Sequence, residues 1–273
     1  MDHVIASAGL RLSYLCDPSS IGKLDQQAIL DDLCEAETRY PLCAWFARVS
    51  LIDFDHLVLA TDRDTGRHVA MLAATDGDTM HGSYLNLRAA FVIDAMRSSK
   101  LMRRLLAYTV SRISCLGVMP RIIAAQTSIP ACYSLLSEFA QAIPGAAVFP
   151  EPNAPTIDLA RATLARQIAH CAAPHLEYEA GTGTIKSARL TNATCFTRTT
   201  AADPIVNAMF ERNLGSGDQM MVVVDLRGCD EAVIDAETRD LIRSRWKIPF
   251  LTMQRPSPAT VSRVDHRTPT LTA

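Results

Sequence analysis

The stretch Phe91 to Val110, FVIDAMRSSKLMRRLLAYTV, constrains the fold of this chain more than any other. An apolar strand passes through a short polar turn directly into a helix that is amphipathic through Leu101, Leu105, Leu106, Val110 and Ile113. Arg97, Lys100, Arg103 and Arg104 crowd the start of that helix. Cations sit badly at a helix N-terminus, where the dipole and the free NH groups favour negative charge, unless an anion lies there too. Backbone amides of a first helical turn, reinforced by Arg and Lys, make a cradle for phosphate or pyrophosphate. The plainer reading is a solvated basic face.

The order of elements extends this unit. Leu24 to Tyr40 has a helical period through Ile29, Leu30, Leu33 and Cys34. His56 to Ala60 and His68 to Ala74 read as an antiparallel hairpin turning at Asp64, Thr65 and Gly66. A looser acidic segment, Thr75 to Gly82, leads to the strand Tyr84 to Ile93. After the helix come a strand at Arg121 to Gln126 and a helix at Ile129 to Phe139 with Pro130 in its first turn. From Leu24 to Pro150 the chain resembles the acyl-CoA-dependent N-acyltransferases of the GNAT superfamily. These carry Arg/Gln-x-x-Gly-x-Gly/Ala between their fourth strand and the following helix. Here the matching positions read Arg97, Ser98, Ser99, Lys100, Leu101 and Met102, with Lys100 and Met102 in place of the two small residues.

The resemblance implies an α/β (α+β) fold with a mixed, mostly antiparallel central sheet, flanking helices and an extended C-terminal region. It implies transfer of an acyl group from acyl-CoA, or from the phosphopantetheine arm of an acyl-carrier protein, to a small-molecule amine. Val92, Arg97, Ser98, Ser99, Lys100, Leu101 and Met102 would hold the cofactor in a splay between adjacent parallel strands, and a backbone NH between Ala89 and Ile93 would polarise the thioester carbonyl. N-acyl amino acid synthases and acyl-homoserine-lactone synthases are similar families, though no residue here selects them. Family members often protonate the leaving thiolate with a tyrosine on the helix after the fifth strand. Tyr133 is the counterpart, following Thr127, Ser128 and Ala131, while the family's Asn and Gly are missing. Its plainer role is packing against the sheet.

Aminolysis of a thioester also needs the amine neutral. The acid that the family often places on the preceding strand is missing between Tyr84 and Ile93, leaving Asp94, Asp76, Asp78 and His81. Histidine is the side chain whose ordinary pKa lies near neutrality, which makes His81 the candidate base; an exposed loop histidine without function is the alternative. These departures keep open a catalytically degenerate fold serving as a binding or protein-interaction module.

The charge balance, a formal net charge of -2, offers no attraction to nucleic acid, and the Arg103-Arg104 pair is not continued elsewhere. No apolar run approaches the ~20 residues of a membrane span. Met1-Asp2-His3 lacks the basic start of a secretory signal. The 48% hydrophobic content leaves room for a hidden face, a homo-oligomer or a lipid-like ligand. Eight cysteines contain no CxxC pair, so no metal is expected. Cys34, Cys115 and Cys132 fall in helical stripes as reduced thiols, which implies a cytoplasmic compartment.

Residues 1–150 are thus expected to form the acyltransferase core. Residues 151–254 would complete the sheet or form a small companion domain, and 255–273, rich in Pro, Thr and Ser, a disordered tail. Within 151–254 the sequence predicts a helix at Ile157 to Cys171 with Ala160, Leu164, Ile168 and Cys171 inward, and a loop at Ala180 to Thr184. It predicts further helices at Pro204 to Asn213 and Ala236 to Trp246, and an interior strand MMVVVDL at Met220 to Leu226.

Overall fold

A computed structural model of the chain describes residues 5–7, 9–36, 49–154, 156–187 and 200–244. Tyr40, Cys43, Cys195, Trp246 and the tail lie outside them. The described strands are β1 (Ile5–Ser7), β2 (Leu10–Cys16), β3 (His56–Asp62), β4 (His68–Thr79), β5 (Gly82–Val92), β6 (Ile122–Thr127), β7 (Ala147–Phe149), β8 (Tyr178–Glu179), β9 (Thr184–Ile185) and β10 (Gln219–Asp225). The described α-helices are α1 (Lys23–Ala36), α2 (Leu101–Ser114), α3 (Pro130–Gln141), α4 (Leu159–Ala172), α5 (Pro204–Asn213) and α6 (Glu231–Arg243). The strands form one sheet in the order β1-β2-β3-β4-β5-β6-β10-β9-β8, with β7 also on β10. Every described pairing is antiparallel except β5 with β6. This is the mixed, mostly antiparallel sheet that the resemblance implies.

Helices cover both faces, and the sequence shows why. Along β3, Leu57 and Leu59 pack with α1 residues Ile29 and Leu33, while Val58 and Ala60 pack in the larger cluster with Leu105, Leu106 and Val110 of α2. Along β10, Met221 and Val223 meet Ala165 and Ile168 of α4, while Met220, Val222 and Val224 face the larger cluster with Phe210 of α5 and Ile234 of α6. Strands buried on both faces read as continuous apolar runs, and MMVVV is such a run. β10 lies between β6 on one side and β7 and β9 on the other.

Five expectations change. The segment Thr75 to Gly82 is not a loose connection, because β4 continues to Thr79 and pairs Asp76 with Leu85, Gly77 with Tyr84 and Asp78 with Ser83. Its acidic and glycine residues disguise a strand whose polar side chains face outward and whose glycine lies beneath a tyrosine ring. The segment around Ala180 to Thr184 is a tight hairpin between β8 and β9, since Gly183 takes a positive φ of 73° that allows the turn. In α4 the inward stripe is Ala162, Ala165 and Ala169 with Leu164 and Ile168, whereas Ala160 and Cys171 are exposed. Small alanines let the helix lie close to the sheet. Helix α6 starts earlier than predicted, at Glu231, because the Asp230 carboxylate caps it by accepting from Ala232 N at 2.8 Å. Cys115 is exposed, outside the α2 core stripe.

Gly77 gives a direct check on the extended β4. A Cβ there would fall 2.4 Å from the Tyr84 ring, so Gly77→Ala must displace the ring or the strand. The expected loss is about 1–3 kcal/mol in equilibrium urea unfolding, and Tyr84→Ala in the same background should remove that added penalty.

Candidate functional site

The parallel pairing of β5 with β6 is short. Leu85, Asn86 and Leu87 pair with Ile123, Ala124 and Ala125, after which β5 runs on to Val92 with no β6 partner. At the same point the β4 register shifts, Ala74 pairing with Leu87 and Ala73 with Ala89, so that Arg88 is an extra, bulged residue. Bulges bend a strand and re-aim its groups, and this one coincides with the parting of β5 from β6. Beyond it, Ile93 N donates to Val69 O of β4 at 3.0 Å. Strand alternation therefore turns the NH groups of Ala90 and Val92 the other way, into the cleft between β5 and the end of β6.

The chain leaves β5 through a 3-10 turn, Asp94–Ser99, and enters α2 at Leu101. Arg97 lies on the turn and not on the helix. Its guanidinium pairs with Asp94 at 2.5 Å, and its Nε donates to Val92 O at 3.4 Å on the cleft side of β5. Lys100 joins turn to helix with φ 58° and ψ 21°, and no side chain caps the helix. Glycine adopts this left-handed conformation freely, whereas a lysine does so at a steric cost. Lys100 is exposed and immediately precedes the first amides of α2 in the chain. Leu101 is buried and Met102 packs on its periphery, so both serve the core with their side chains and offer the cleft only backbone.

The remaining cations of the cluster serve the fold. Arg103 reaches Glu138 of α3 at 3.5 Å. Arg104 is buried, and its guanidinium donates to Ser244 O and Ser244 Oγ just after α6. Burial and the adjacent Arg103 pull its pKa down to about 10. Crowded charge in the sequence is thus divided between the turn, an α2–α3 ion pair and an α2–α6 tie.

Tyr133 projects from α3 into the core, fully buried, edge-on to Phe210 of α5. Its hydroxyl donates to Pro150 O at 2.6 Å. Burial above all, with the Glu151 and Asp203 carboxylates adding to it, holds the phenol well above the ordinary tyrosine range. The Cys132 thiol is likewise pushed up by burial, against a Thr127 hydrogen bond that lowers it.

His81 is not brought near the turn. It is exposed in the β4–β5 connection, at the opposite end of a strand of 11 residues. At about 3.3 Å per residue it lies on the order of 30 Å from Arg97. A depression of about 200 Å³ opens there between Asp76, His81, Val118, Arg121 and Arg227. Of the acidic candidates, Asp94 holds Arg97, Asp76 holds His56 Nε2 at 3.0 Å while Tyr14 Oη bonds His56 Nδ1 at 2.8 Å, and Asp78 is exposed on the outer half of β4. Among the described residues no group of three His, Cys, Asp or Glu could hold a metal ion, and no helix is long and apolar enough to cross a membrane.

Sequence reading passed over Asn86 and Arg88. The signal was present, in polar residues alternating with Leu85, Leu87 and Ala89 on a strand otherwise apolar through its middle.

No family model and no curated protein matches the sequence. Among solved structures the chain is similar to a GNAT family N-acetyltransferase from Escherichia coli in complex with CoA, at 18% identity over 50% of this chain and 71% of that one, with a TM-score of 0.34. It is similar to a ribosomal-protein-S5-alanine acetyltransferase from Vibrio fischeri, at 10% identity over 54% and 86%, with a TM-score of 0.37. A GNAT-family acetyltransferase from Desulfovibrio desulfuricans matches at 13% identity over 79% and 99%, with a TM-score of 0.35. Likeness of this degree leaves the reading of the cleft to its own geometry.

Two substitutions test that geometry. Lys100→Gly removes a left-handed non-glycine residue, worth roughly 1–2 kcal/mol, less the entropy of a free glycine, and should raise stability by about 0.5–1 kcal/mol in urea unfolding. Tyr133→Phe leaves Pro150 O without its donor and should cost about 1–2 kcal/mol.

Proposed function

We propose that the chain is an N-acyltransferase that uses acyl-CoA and a small-molecule amine. The observation that carries the reading is the coincidence of three features at one place: β5 parts from β6, it bulges at Arg88, and it feeds an uncapped helix N-terminus. The cleft admits an extended pantetheine chain as a strand substitute, with the Ala90 and Val92 amides as its donors. The amides of Leu101 and Met102, with the Lys100 ammonium, favour the pyrophosphate. Ser98 and Ser99 contribute to the same turn through their backbone. Arg97 acts by bracing the turn against Asp94 and Val92.

The chemistry then asks little of side chains. The neutral amine attacks the thioester carbonyl carbon, a C–N bond forms, and the C–S bond breaks. A β5 amide hydrogen bond stabilises the oxyanion in between. The amine loses a proton to water, and the thiolate takes one from water. In this reading Tyr133 fastens α3 to the Phe149–Pro150 segment, and His81 has no part.

A second reading, a catalytically silent module of the same fold, is favoured by the engagement of the Tyr133 proton and by Lys100 beside the cradle. Calorimetry with coenzyme A and thiol release from acyl-CoAs across an amine panel separate the two. The enzyme should bind coenzyme A saturably, Lys100→Ala should weaken binding about tenfold through loss of a charge-assisted contact, and Tyr133→Phe should retain turnover. Saturable binding without thiol release from any donor favours the silent module. No saturable binding removes the acyltransferase reading and leaves the silent module.

A further inference from the structure

On the α1 and α4 side of the sheet, two apolar clusters meet along β5. Tyr84 belongs to the cluster under α4 and Ala89 to the cluster under α1. Asn86 and Arg88 lie between them and belong to neither. Asn86 is only 7% exposed as a residue, its carboxamide is not among the fully buried groups that lack a partner, and no described residue bonds it, so it is open to a ligand at the seam. Arg88 is the exposed bulged residue, and among the described residues no carboxylate pairs with it. Gln126 of β6 is half-buried and stands on the same side, since it pairs with Met221, whose side chain enters the α4 cluster. Three polar groups without described partners, rich in donors and carrying one positive charge, thus flank the point where β5 and β6 part.

Resting on the acyltransferase reading, we infer that this seam holds the carboxylate of the acceptor, so that the amine substrate is an α-amino acid or a compound ending in one. A carboxylate satisfies the Asn86 NH2 and the Arg88 guanidinium together, in the planar arrangement that Arg favours. Arg88 stands two residues before Ala90 on β5, and an α-amino group lies one carbon from its carboxylate. With the carboxylate at Arg88, the amine reaches a thioester carbonyl held at the Ala90 amide. Polyamines and other multiply cationic acceptors meet the like charge of Arg88, which disfavours them.

The test compares L-amino acids with the amines that differ only in lacking the carboxylate, such as phenylalanine with phenethylamine and leucine with isoamylamine. Binding to the full chain is measured by titration calorimetry with and without coenzyme A, and thiol release from acyl-CoA is followed in parallel. At least one amino acid should bind tenfold or more tightly than its amine. Arg88→Met should abolish that preference by raising KM with little change in kcat, Arg88→Lys should restore part of it, and Asn86→Ala should weaken it. Circular dichroism establishes that each variant is folded. Equal binding of amines and amino acids, binding of no amino acid in the panel, or an undiminished preference in folded Arg88→Met overturns the inference while leaving coenzyme A binding, and so the acyltransferase reading, standing. If coenzyme A does not bind, that reading falls, and the titrations without it still decide for or against a carboxylate site.

Discussion

Three residue pairs, Leu85 with Ile123, Asn86 with Ala124 and Leu87 with Ala125, make up the parallel pairing of the described sheet. A parallel pair needs a crossover, and α2 supplies it, which fixes the helix on one face and its N-terminus at the end of β5. Because the pairing stops at Leu87 while β5 continues, amide groups are left facing a gap in the middle of an otherwise continuous sheet. Backbone groups in such a position need partners. The bulge at Arg88 is the device that ends the ladder: one extra residue changes the direction of β5 so that it can follow β4 or β6 but not both.

The cation cluster before α2 shows how one sequence feature divides on folding. Four basic residues in eight positions suggest a single anion site. In three dimensions they separate: Arg97 on the turn pairs with Asp94, Arg103 with Glu138, Arg104 with Ser244, and Lys100 is exposed. Arg103 and Arg104 are adjacent on the helix and so point in different directions, toward different helices. Lys100, at the turn-helix junction, is the one that directly precedes the free amides.

The order of elements from α1 to α3 was legible because apolar periodicity and turn residues report it locally. The strand β10 was legible because burial on both faces leaves an unbroken run of Met and Val. The outer half of β4 was not, since Asp76, Gly77 and Asp78 carry the composition of a loop, and only the Tyr84 ring over Gly77 makes the strand intelligible. Tyr133 could be placed on a helix by pattern, but the direction of its hydroxyl depends on Pro150, seventeen residues away in sequence. Pairings that are distant in sequence, the bulge included, have no local signature. The polar interruptions at Asn86 and Arg88 were visible, yet nothing in a single strand says which of its faces lies open.

The position of β10 bears on how the molecule comes into being. β6 is bordered on one side by β5 for three residues and on the other by β10 along its whole length. On a ribosome, β6 emerges long before β10, with α3, β7, α4, β8, β9 and α5 made in between. Until then a strand of Ile, Ile, Ala and Ala presents an open edge, the kind that recruits other chains. Pairings of such long sequence separation form late, after the entropy of closing the intervening loop has been met. The nascent protein therefore passes through an interval in which its central strand is half-dressed, and its yield in a cell depends on how quickly the last strand arrives.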